Sequence, residues 1–329
     1  MRIPFETLHS TLAAALRKAG MAEDRADVCA RLFAEASRDG VASHGLNRFP
    51  RFMRMIHRGL VDVHARPLCL AAAGALERWD GRGGPGNLNA REAMGRAMSL
   101  ARTHGIGCVA LANTNHWMRG GSYGWQAADE GLIALCWTNT LANVPPWGAA
   151  DPRVGNNPFV VAVPRRAGHV VLDMALSQFS VGALTGYAAR GEPLPVAGGH
   201  DAQGRLTSDA RAILESRRLL PIGFWKGSGL AFALDLIAAA LSAGQSTARI
   251  AADPEQETDL SQVFIAIDPA AVAPPDEMER MTDAAVAHLT TGEGDVRYPG
   301  LRTLETRARN LRDGVPVDPA IWSEVQTAT

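Results

Sequence analysis

Five short apolar segments, separated by helical stretches, constrain the fold of this chain more than any other feature. They are GIGCVAL (105–111), GLIALCWT (131–138), PFVVAVP (158–164), HVVLDMAL (169–176) and QVFIAID (262–268). Mostly apolar, partly β-branched runs of this length are typical of strands covered on both faces. Helices are predicted between them, near residues 89–104, 121–130, 178–190 and 228–243. This alternation predicts a layered α/β sheet.

The amino-terminal sixty residues and the segment after residue 270 are predicted to be helical. Leu8, Leu12 and Leu16 share one helical face, and this first helix ends at Gly20. Two more helices follow, ending at Gly40 and Gly59. After residue 270, helices are predicted over about 275–290, 303–312 and 319–327.

These patterns divide the chain into two predicted parts. Residues 69–274 form an α/β cofactor-binding domain, and residues 1–68 form a helical region joined by the helices of 275–329. Within the α/β part, residues 189–210 are rich in Gly, Pro and polar residues, and a long excursion of this kind usually lines a site or an interface.

Composition narrows the classes of partner. Of the 329 residues 47% are hydrophobic and the net charge is −1, which gives no support for nucleic acid or a membrane surface as partner. The start MRIPFETLHS lacks a signal-like apolar region, and no apolar run reaches the roughly 18 residues of a membrane span. Cys29, Cys69, Cys108 and Cys136 each lie in an apolar segment. They are interpreted as small core residues in a reducing compartment, so a cytoplasmic location is expected.

One glycine-rich segment is a weak candidate for dinucleotide binding. GRGGPG (81–86) satisfies Gly-x-Gly-x-x-Gly, but ALERWD before it makes a poor strand, and the next strand runs into ANTNH with no acidic residue. We therefore interpret GRGGPG as a glycine loop entering a helix. No cluster of His or Cys has metal-ligand spacing, so no metal is predicted.

The stretch SHGLNRFPRFMRMIHRG (43–59) contains a candidate acid and a candidate anion clamp. If a helical turn begins by residue 44, His44 and Arg48 lie near the same face. Arg48 could then hold a carboxylate in a bidentate manner beside the imidazole. A solvated helix face of arginines remains an equal alternative, and Arg51, Arg54 and Arg58 are assigned to that face.

Three further stretches carry candidate site residues. Asn113, Thr114, Asn115 and His116 follow a strand directly, and the end of a strand is a frequent position for α/β active sites. Lys226 precedes Gly-Ser-Gly at a predicted helix start, a natural phosphate site. Asp173 lies in an otherwise apolar strand, where a buried carboxylate needs a partner; a His partner that it orients for proton transfer, or a structural role at a strand end, are both open.

Nine stretches of the sequence together resemble one family. They are GVASHGLNRFPRF, GALERWD, GIGCVAL, NHWMRGGSYGWQAA, CWTNT, PPWGA, LPVAGG, LLPIGFWKGSG and SQVFIAI, and they run nearly from end to end. The family is that of the malate/L-lactate dehydrogenase-type oxidoreductases, which lack a Rossmann fingerprint. The resemblance implies a three-layer α/β fold with a mixed sheet and helices on both faces, and a homodimer with its site near the subunit interface.

The resemblance also implies an activity and its residues. It implies NADH-dependent reduction of a 2-oxo acid, with His44 as proton donor and Arg48 and His116 near the substrate; Asp173 is the candidate that orients the donor. A diketo sugar acid is the favoured substrate, with Asn115, His116, Asn156 and Asn157 as candidates to hold its hydroxyls. Malate, lactate, ureidoglycolate and cyclic imino acids are the alternatives, and a non-catalytic sensor is a third hypothesis. Dinucleotide contacts are implied at His169, Val170, Val171, Leu172, Asp173, Met174, Ala175, Trp225, Lys226, Gly300, Leu301 and Arg302.

Two departures from the related sequences affect these expectations. Where the related sequences have Gly-Thr-Asn-Pro, this chain has Gly155-Asn156-Asn157-Pro158, so an amide replaces a hydroxyl. Pro-Gly-His-Glu becomes Pro299-Gly300-Leu301-Arg302, which replaces an acid by a base at a cofactor-contacting position. Because an arginine there favours a 2′-phosphate, NADPH is the alternative cofactor.

Overall fold

A seven-stranded mixed sheet forms the centre of the computed structural model, which describes residues 1–328. The strands are β1 (Arg2–Ile3), β2 (Leu68–Ala73), β3 (Leu76–Asp80), β4 (Ile106–Thr114), β5 (Ile133–Thr138), β6 (Phe159–Val163), β7 (Val170–Met174), β8 (Gly199–His200), β9 (Leu206–Thr207), β10 (Arg218–Leu219), β11 (Leu260–Ile267) and β12 (Val315–Pro316). The central sheet has the order β2-β3-β4-β11-β5-β6-β7. Within it only β3 and β4 pair in parallel. The strand β7 therefore lies at one edge.

Helices cover both faces of this sheet. The helices are α1 (Phe5–Lys18), α2 (Glu23–Arg38), α3 (Phe49–His57), α4 (Gly86–His104), α5 (Gly121–Asp129), α6 (Val181–Arg190), α7 (Ala210–Ser216), α8 (Trp225–Ser242), α9 (Pro275–Thr290), α10 (Leu301–Asp313) and α11 (Pro319–Ala328). On one face α4 and α5 form a core with the inward residues of the strands, and on the other face α6, α7 and α8 form a second core. The predicted three-layer α/β fold with a mixed sheet is confirmed.

The amino-terminal helices form a third core. Leu8, Leu12 and Leu16 of α1 are completely buried, as their spacing predicts, and they pack in one cluster with residues of α2 and α3. Trp322 and Val325 of α11 belong to the same cluster, so the end of the chain supports its beginning. The pairing of β1 with β12 strengthens this junction. The division into residues 1–68 with 275–329 and residues 69–274 stays a prediction.

A buried ionic cluster ties α10 to the end of α2. The Asp39 carboxylate accepts hydrogen bonds from Arg38, Arg119 and Arg307 at 2.8, 2.6 and 2.7 Å. Burial alone would raise the pKa of Asp39, but the hydrogen bond from Arg307 and the charges of Arg119 and Arg38 lower it well below its usual range. Three segments that are distant in sequence thus meet at one carboxylate.

Two secondary-structure expectations and one burial expectation were wrong. The segment ALERWD is not a poor strand, because Leu76–Asp80 forms β3 through parallel pairing with β4, which sequence propensity alone does not reveal. The excursion 189–210 contains β8 and β9, which form a small sheet with β10. Cys69 is exposed on the edge strand β2, so it is not a core residue; Cys29 and Cys136 are buried as expected.

Within the described residues, none of the helices combines the length and apolar content that a bilayer crossing needs. In the same part of the chain no set of three or more His, Cys, Asp or Glu side chains is placed to hold a metal ion.

Candidate active site

A cavity of about 600 Å³ lies where the amino-terminal helical region meets the sheet. One wall comes from residues 41–51, and a second comes from residues 116–120 after β4. A third wall consists of β7 and the start of α10, and a fourth contains polar residues between 140 and 156. Residues of the segments 180–182, 213–219 and 254–257 complete the lining. Residues from many separated parts of the sequence therefore face one volume.

His44 and Arg48 reach this cavity from two consecutive 3-10 turns. The turns are Ala42–His44 and Leu46–Arg48, joined by Gly45, so they replace the single helical turn that the spacing suggested. A Cβ atom on Gly45 would lie 2.2 Å from the Ser37 Oγ atom, so only glycine permits this approach to α2. Ser37 in turn accepts a hydrogen bond from the Leu46 backbone N–H at 2.8 Å. His44 and Arg48 therefore reach the same site from two turns, and not from one face of a helix.

The imidazole of His44 is held by two neighbours. Its Nδ1 atom lies 3.1 Å from the Ser43 hydroxyl oxygen, and its ring stacks on His116 with 5.7 Å between the centroids. Burial, then the charges of Arg48 and Arg119, lower the pKa of His44 to about 4. The ring is therefore neutral near pH 7 in this structure.

Arg48 faces both an acid and another arginine. Its Nη2 atom lies 3.6 Å from Oε2 of the buried Glu257. Burial and the charge of Arg51 lower the pKa of Arg48 to about 10, while Glu257 opposes the shift. Arg48 consequently remains charged at neutral pH and can bind a carboxylate.

His116 is the one member of the predicted Asn113–His116 group that lines the cavity. Its Nδ1 atom accepts a hydrogen bond from the Met118 N–H at 2.9 Å. Burial, followed by the charge of Arg48, lowers the pKa of His116 well below its ordinary value. Asn115 instead donates to the carbonyl oxygens of Gly83 and Gly84. Asn115 therefore fixes the glycine loop and does not face a ligand.

Of the two roles left open for Asp173, the structure shows the hydrogen-bonded one and, among the described residues, no His partner. Its Oδ2 atom accepts a hydrogen bond from the Gly121 N–H at 2.8 Å, at the start of α5. Within residues 1–328 no His donates to this carboxylate or forms an ion pair with it. Burial raises the pKa of Asp173, and the nearby charge of Arg119 opposes the shift. The helix terminus compensates the carboxylate, which also lines the cavity.

Asn156 lies in the polar wall of the cavity with Thr140 and Asn143. Its Oδ1 atom accepts hydrogen bonds from the Thr140 hydroxyl at 3.1 Å and from Asn143 at 3.3 Å. With this oxygen occupied, the amide NH₂ group is the part of Asn156 that a ligand can use. Asn157 is completely buried and donates to the Ala231 carbonyl oxygen, so its role is structural.

The predicted dinucleotide residues fall into two groups. Val171, Leu172, Asp173, Ala175 and Gly300 line the cavity. His169, Val170, Met174, Trp225, Lys226, Leu301 and Arg302 do not. The ring of His169 is already engaged, because Nδ1 accepts from the Arg165 N–H and Nε2 lies 3.1 Å from Asp129. Trp225 and Lys226 lie exposed at the start of α8.

The cleft beside β7 suits an extended, flat ligand with phosphates. The strand β7 lies at the edge of the sheet, and Gly300 lies close to it. The backbone φ of Gly300 is 103°, in the left-handed region. A Cβ atom on Gly300 would lie 2.9 Å from the His169 carbonyl oxygen, so glycine keeps this passage narrow but open. Gly300 also precedes α10, whose first-turn N–H groups have no partner inside the helix and favour an anion. This chain's residues therefore fit a dinucleotide.

Sequence reasoning missed four charged residues in the cavity wall, which are Arg51, Arg119, Arg217 and Glu257. Arg51 lines the cavity and is only 16% exposed, which corrects its assignment to the solvated face. Arg119 is buried on Asp39, and Glu257 is buried beside Arg48. The sequence offered one usable signal for Arg51, because its spacing of three residues from Arg48 places both on neighbouring positions of a helical face.

The malate/L-lactate dehydrogenase family matches residues 3–326. A 2,3-diketo-L-gulonate reductase of Klebsiella pneumoniae is 44% identical over 340 residues, covering 99% of this chain and 99% of that protein. The structure of delta1-piperideine-2-carboxylate reductase from Pseudomonas syringae is 29% identical with a TM-score of 0.89, covering 100% of both chains. Sulfolactate dehydrogenase from Methanocaldococcus jannaschii is 25% identical with a TM-score of 0.92, covering 100% of this chain and 96% of that one.

Proposed function

This chain belongs to the malate/L-lactate dehydrogenase family of oxidoreductases, and on that premise we propose that it reduces the 2-oxo group of a diketo sugar acid with a nicotinamide dinucleotide. The reaction would convert 2,3-diketo-L-gulonate to 3-dehydro-L-gulonate. The observation that carries the proposal is the meeting of His44, Arg48 and His116 with the β7 cleft in one cavity. The reductase name of the 44% identical relative supports the sugar acid as substrate.

Arg48 and His44 have separate tasks in this reaction. Arg48 binds the substrate carboxylate and fixes the adjacent carbonyl group. When bound, the reduced nicotinamide supplies a hydride to the carbonyl carbon. His44 donates its proton to the carbonyl oxygen, which becomes the hydroxyl of the product. In the reverse direction neutral His44 accepts that proton.

His44 needs to gain a proton before it can donate one. Its pKa of about 4 results from burial and from the positive charges of Arg48 and Arg119. A substrate carboxylate bound to Arg48 brings a negative charge close to the imidazole and offsets part of this positive field. Substrate binding and protonation of His44 are therefore coupled, and each favours the other.

The cofactor is proposed to lie along β7 and the start of α10. Val171, Leu172 and Ala175 would contact it from the strand, and Gly300 and the first turn of α10 would meet its phosphates. Arg302 is exposed beside Gly300 and forms no ion pair within residues 1–328. This free guanidinium favours the 2′-phosphate of NADPH over NADH.

We also propose a homodimer, on the basis of an exposed apolar face. Trp225, Phe232 and Leu236 of α8 are 68%, 53% and 48% exposed, although a helix of this composition normally buries such side chains. Leu68 and Leu70 of the edge strand β2 are 53% and 51% exposed. We propose that a second copy of the chain covers this apolar face. Trp225 and Lys226 would then lie near the subunit interface, where they could contact the cofactor. Sedimentation equilibrium at micromolar concentration tests this, since a monomer would contradict it.

A substrate panel tests the activity. Purified protein should be assayed with NADH and NADPH against 2,3-diketo-L-gulonate, pyruvate, oxaloacetate and delta1-piperideine-2-carboxylate. The highest kcat/KM with the diketo acid is expected. The cyclic imine is the second candidate, because the 29% identical structure carries that name. Binding of NAD(P)H without turnover of any panel member would refute the proposed reaction and favour a sensor.

A further inference from the structure

Arg51 lines the cavity, whereas Arg54 on the same helix α3 and Arg58 at the end of that helix do not. Its side chain is 16% exposed, against 54% for Arg54 and 47% for Arg58. Its Nε and Nη2 atoms are shielded from solvent and have no hydrogen-bond partner among the described residues. Buried donors of a charged group are costly when they stay unpaired, so most such groups in proteins have an acceptor. Arg51 thus has hydrogen-bonding capacity that the protein itself does not use.

The one acid close to Arg51 does not satisfy it. Glu255 Oε1 lies 3.4 Å from Arg51 Nε, outside hydrogen-bond geometry, and the same carboxylate lies 3.5 Å from Arg54 and 4.0 Å from Arg58. Three arginines therefore share one carboxylate. Among the described residues, the Arg51 guanidinium therefore has no hydrogen bond to lose when a ligand oxygen approaches it.

The charges around Arg51 indicate which oxygen it would bind. Arg48 and Arg51 face Glu257 and Glu255 at 3.6 and 3.4 Å, whereas Arg54 and Arg58, which also approach Glu255, are about half exposed and screened by solvent. A substrate carboxylate on Arg48 would add one negative charge, and a second carboxylate at Arg51 would lie against Glu255. Uncharged hydroxyl and carbonyl oxygens avoid that repulsion and still accept hydrogen bonds from a guanidinium.

We propose that Arg51 is a specificity residue that donates hydrogen bonds to hydroxyl or carbonyl oxygens on the substrate's carbon chain beyond the reacting carbonyl. The cavity then favours long, oxygen-rich 2-oxo acids over short ones that carry a methyl group at that position. This inference rests on the proposed function and specifies the substrate class of the same cavity.

The test compares two acids in two variants. Arg51→Met keeps most of the apolar stem and removes the donors, and Arg54→Met on the same helix is the matched control, since Arg54 shares Glu255 but is exposed. The measured quantity is the ratio of kcat/KM for 2,3-diketo-L-gulonate to kcat/KM for pyruvate. Loss of hydrogen bonds from a charged donor should lower this ratio about 10- to 100-fold in Arg51→Met. In Arg54→Met the ratio should stay within about twofold of wild type.

Two results would overturn the assignment. The first is an unchanged ratio in Arg51→Met. The second is an equal fall in Arg54→Met, which would show that the partners of Glu255 matter and not a contact of Arg51 with substrate. Arg51→Lys, which keeps the charge but loses the planar pair of donors, should shift the ratio in the same direction and replaces Arg51→Met if that variant does not fold.

The wild type separates this inference from the proposed function. If wild-type protein reduces neither acid, the proposed function fails whatever the variants do. Calorimetric dissociation constants for L-gulonate and L-lactate then test Arg51 directly. Arg51→Met should weaken L-gulonate binding relative to L-lactate by the same factor of about 10 to 100, and an unchanged ratio of the two constants would refute the role of Arg51.

Discussion

The protonation of His44 gives the sharpest test of the proposed mechanism. With a pKa of about 4, His44 carries a proton at pH 7 in about one molecule in a thousand. Reduction needs the protonated form, because the proton has to pass to the developing hydroxyl. The enzyme must therefore raise this pKa when the acid binds, or it would work at a small fraction of its capacity.

The size of the expected change follows from the charges in the cavity. A carboxylate on Arg48 would lie roughly 5 Å from the imidazole, and at an effective dielectric constant of about 20 it stabilises the imidazolium by about 3 kcal/mol. Since 1.36 kcal/mol corresponds to one pKa unit, the pKa of His44 should rise by about 2 units, to about 6 in the complex. Burial remains the largest opposing cause, so the pKa should not exceed its ordinary value.

Steady-state kinetics over pH 4 to 9 provide the assay. At saturating reduced cofactor, kcat/KM for the acid reports the form without acid, and kcat reports the complex. In the reduction direction log(kcat/KM) should fall from just above pH 4, and log kcat should fall only above about pH 6. In the oxidation direction the sign reverses, because neutral His44 accepts the proton. Calorimetric binding of L-gulonate in two buffers should also show proton uptake at pH 5 to 6.

Two outcomes would refute this reasoning. Identical break points in kcat and kcat/KM would mean that substrate does not change the pKa of the donor. A His44→Ala variant with unchanged turnover would remove His44 from the chemistry, since loss of a general acid normally costs about 10² to 10⁴ in rate. Cofactor fluorescence should verify that this variant still binds NAD(P)H.

Three further predictions concern binding and stability. Arg48→Lys should raise KM for the acid at least about tenfold with a smaller change in kcat, because lysine cannot form the bidentate pair, and an unchanged KM would place the clamp elsewhere. Asp39→Asn should lower the free energy of unfolding by about 3–5 kcal/mol in urea titrations, against under about 1 kcal/mol for the control Asp313→Asn in an exposed pair. Because folding lowers the pKa of Asp39 well below its usual range, its stabilisation should decline gradually as pH falls below about 4, and a wild-type advantage as large at pH 2 as at pH 7 would contradict this. Arg302→Glu should shift the ratio of kcat/KM for NADPH to that for NADH at least about tenfold toward NADH, and an unchanged ratio would exclude contact with the 2′-phosphate.

Local sequence patterns predicted individual helices and strands better than they predicted which strands pair with each other. The spacing of Leu8, Leu12 and Leu16 and the apolar runs around β4, β5 and β11 define elements by periods that are visible in single segments. The strand β3 was missed because its stability comes from β4 beside it, and that neighbour is 30 residues away in the chain. The resemblance drawn from nine short stretches is confirmed by the family match over residues 3–326.

For the site, sequence indicated residue types but not their surroundings. His44, Arg48, His116 and Asn156 lie in one cavity, yet their roles stay predictions until the assays above are done. The partner of Asp173 stayed open in the sequence because a helix N-terminus leaves no residue type to recognise. The exposure of Arg51 and the pKa of His44 depend on tertiary burial, which no local pattern reports.

The cluster around Asp39 has a consequence for chimeric enzymes. Arg119 comes from the segment beside the proposed substrate site, and Arg307 comes from the helix that begins at the proposed phosphate contact. One carboxylate therefore sets the spacing between the two proposed binding regions. A graft that exchanges residues 38–59 with those of a relative replaces Arg38 and Asp39 but not Arg119 or Arg307, so it should keep its activity only when these partners are exchanged as a set.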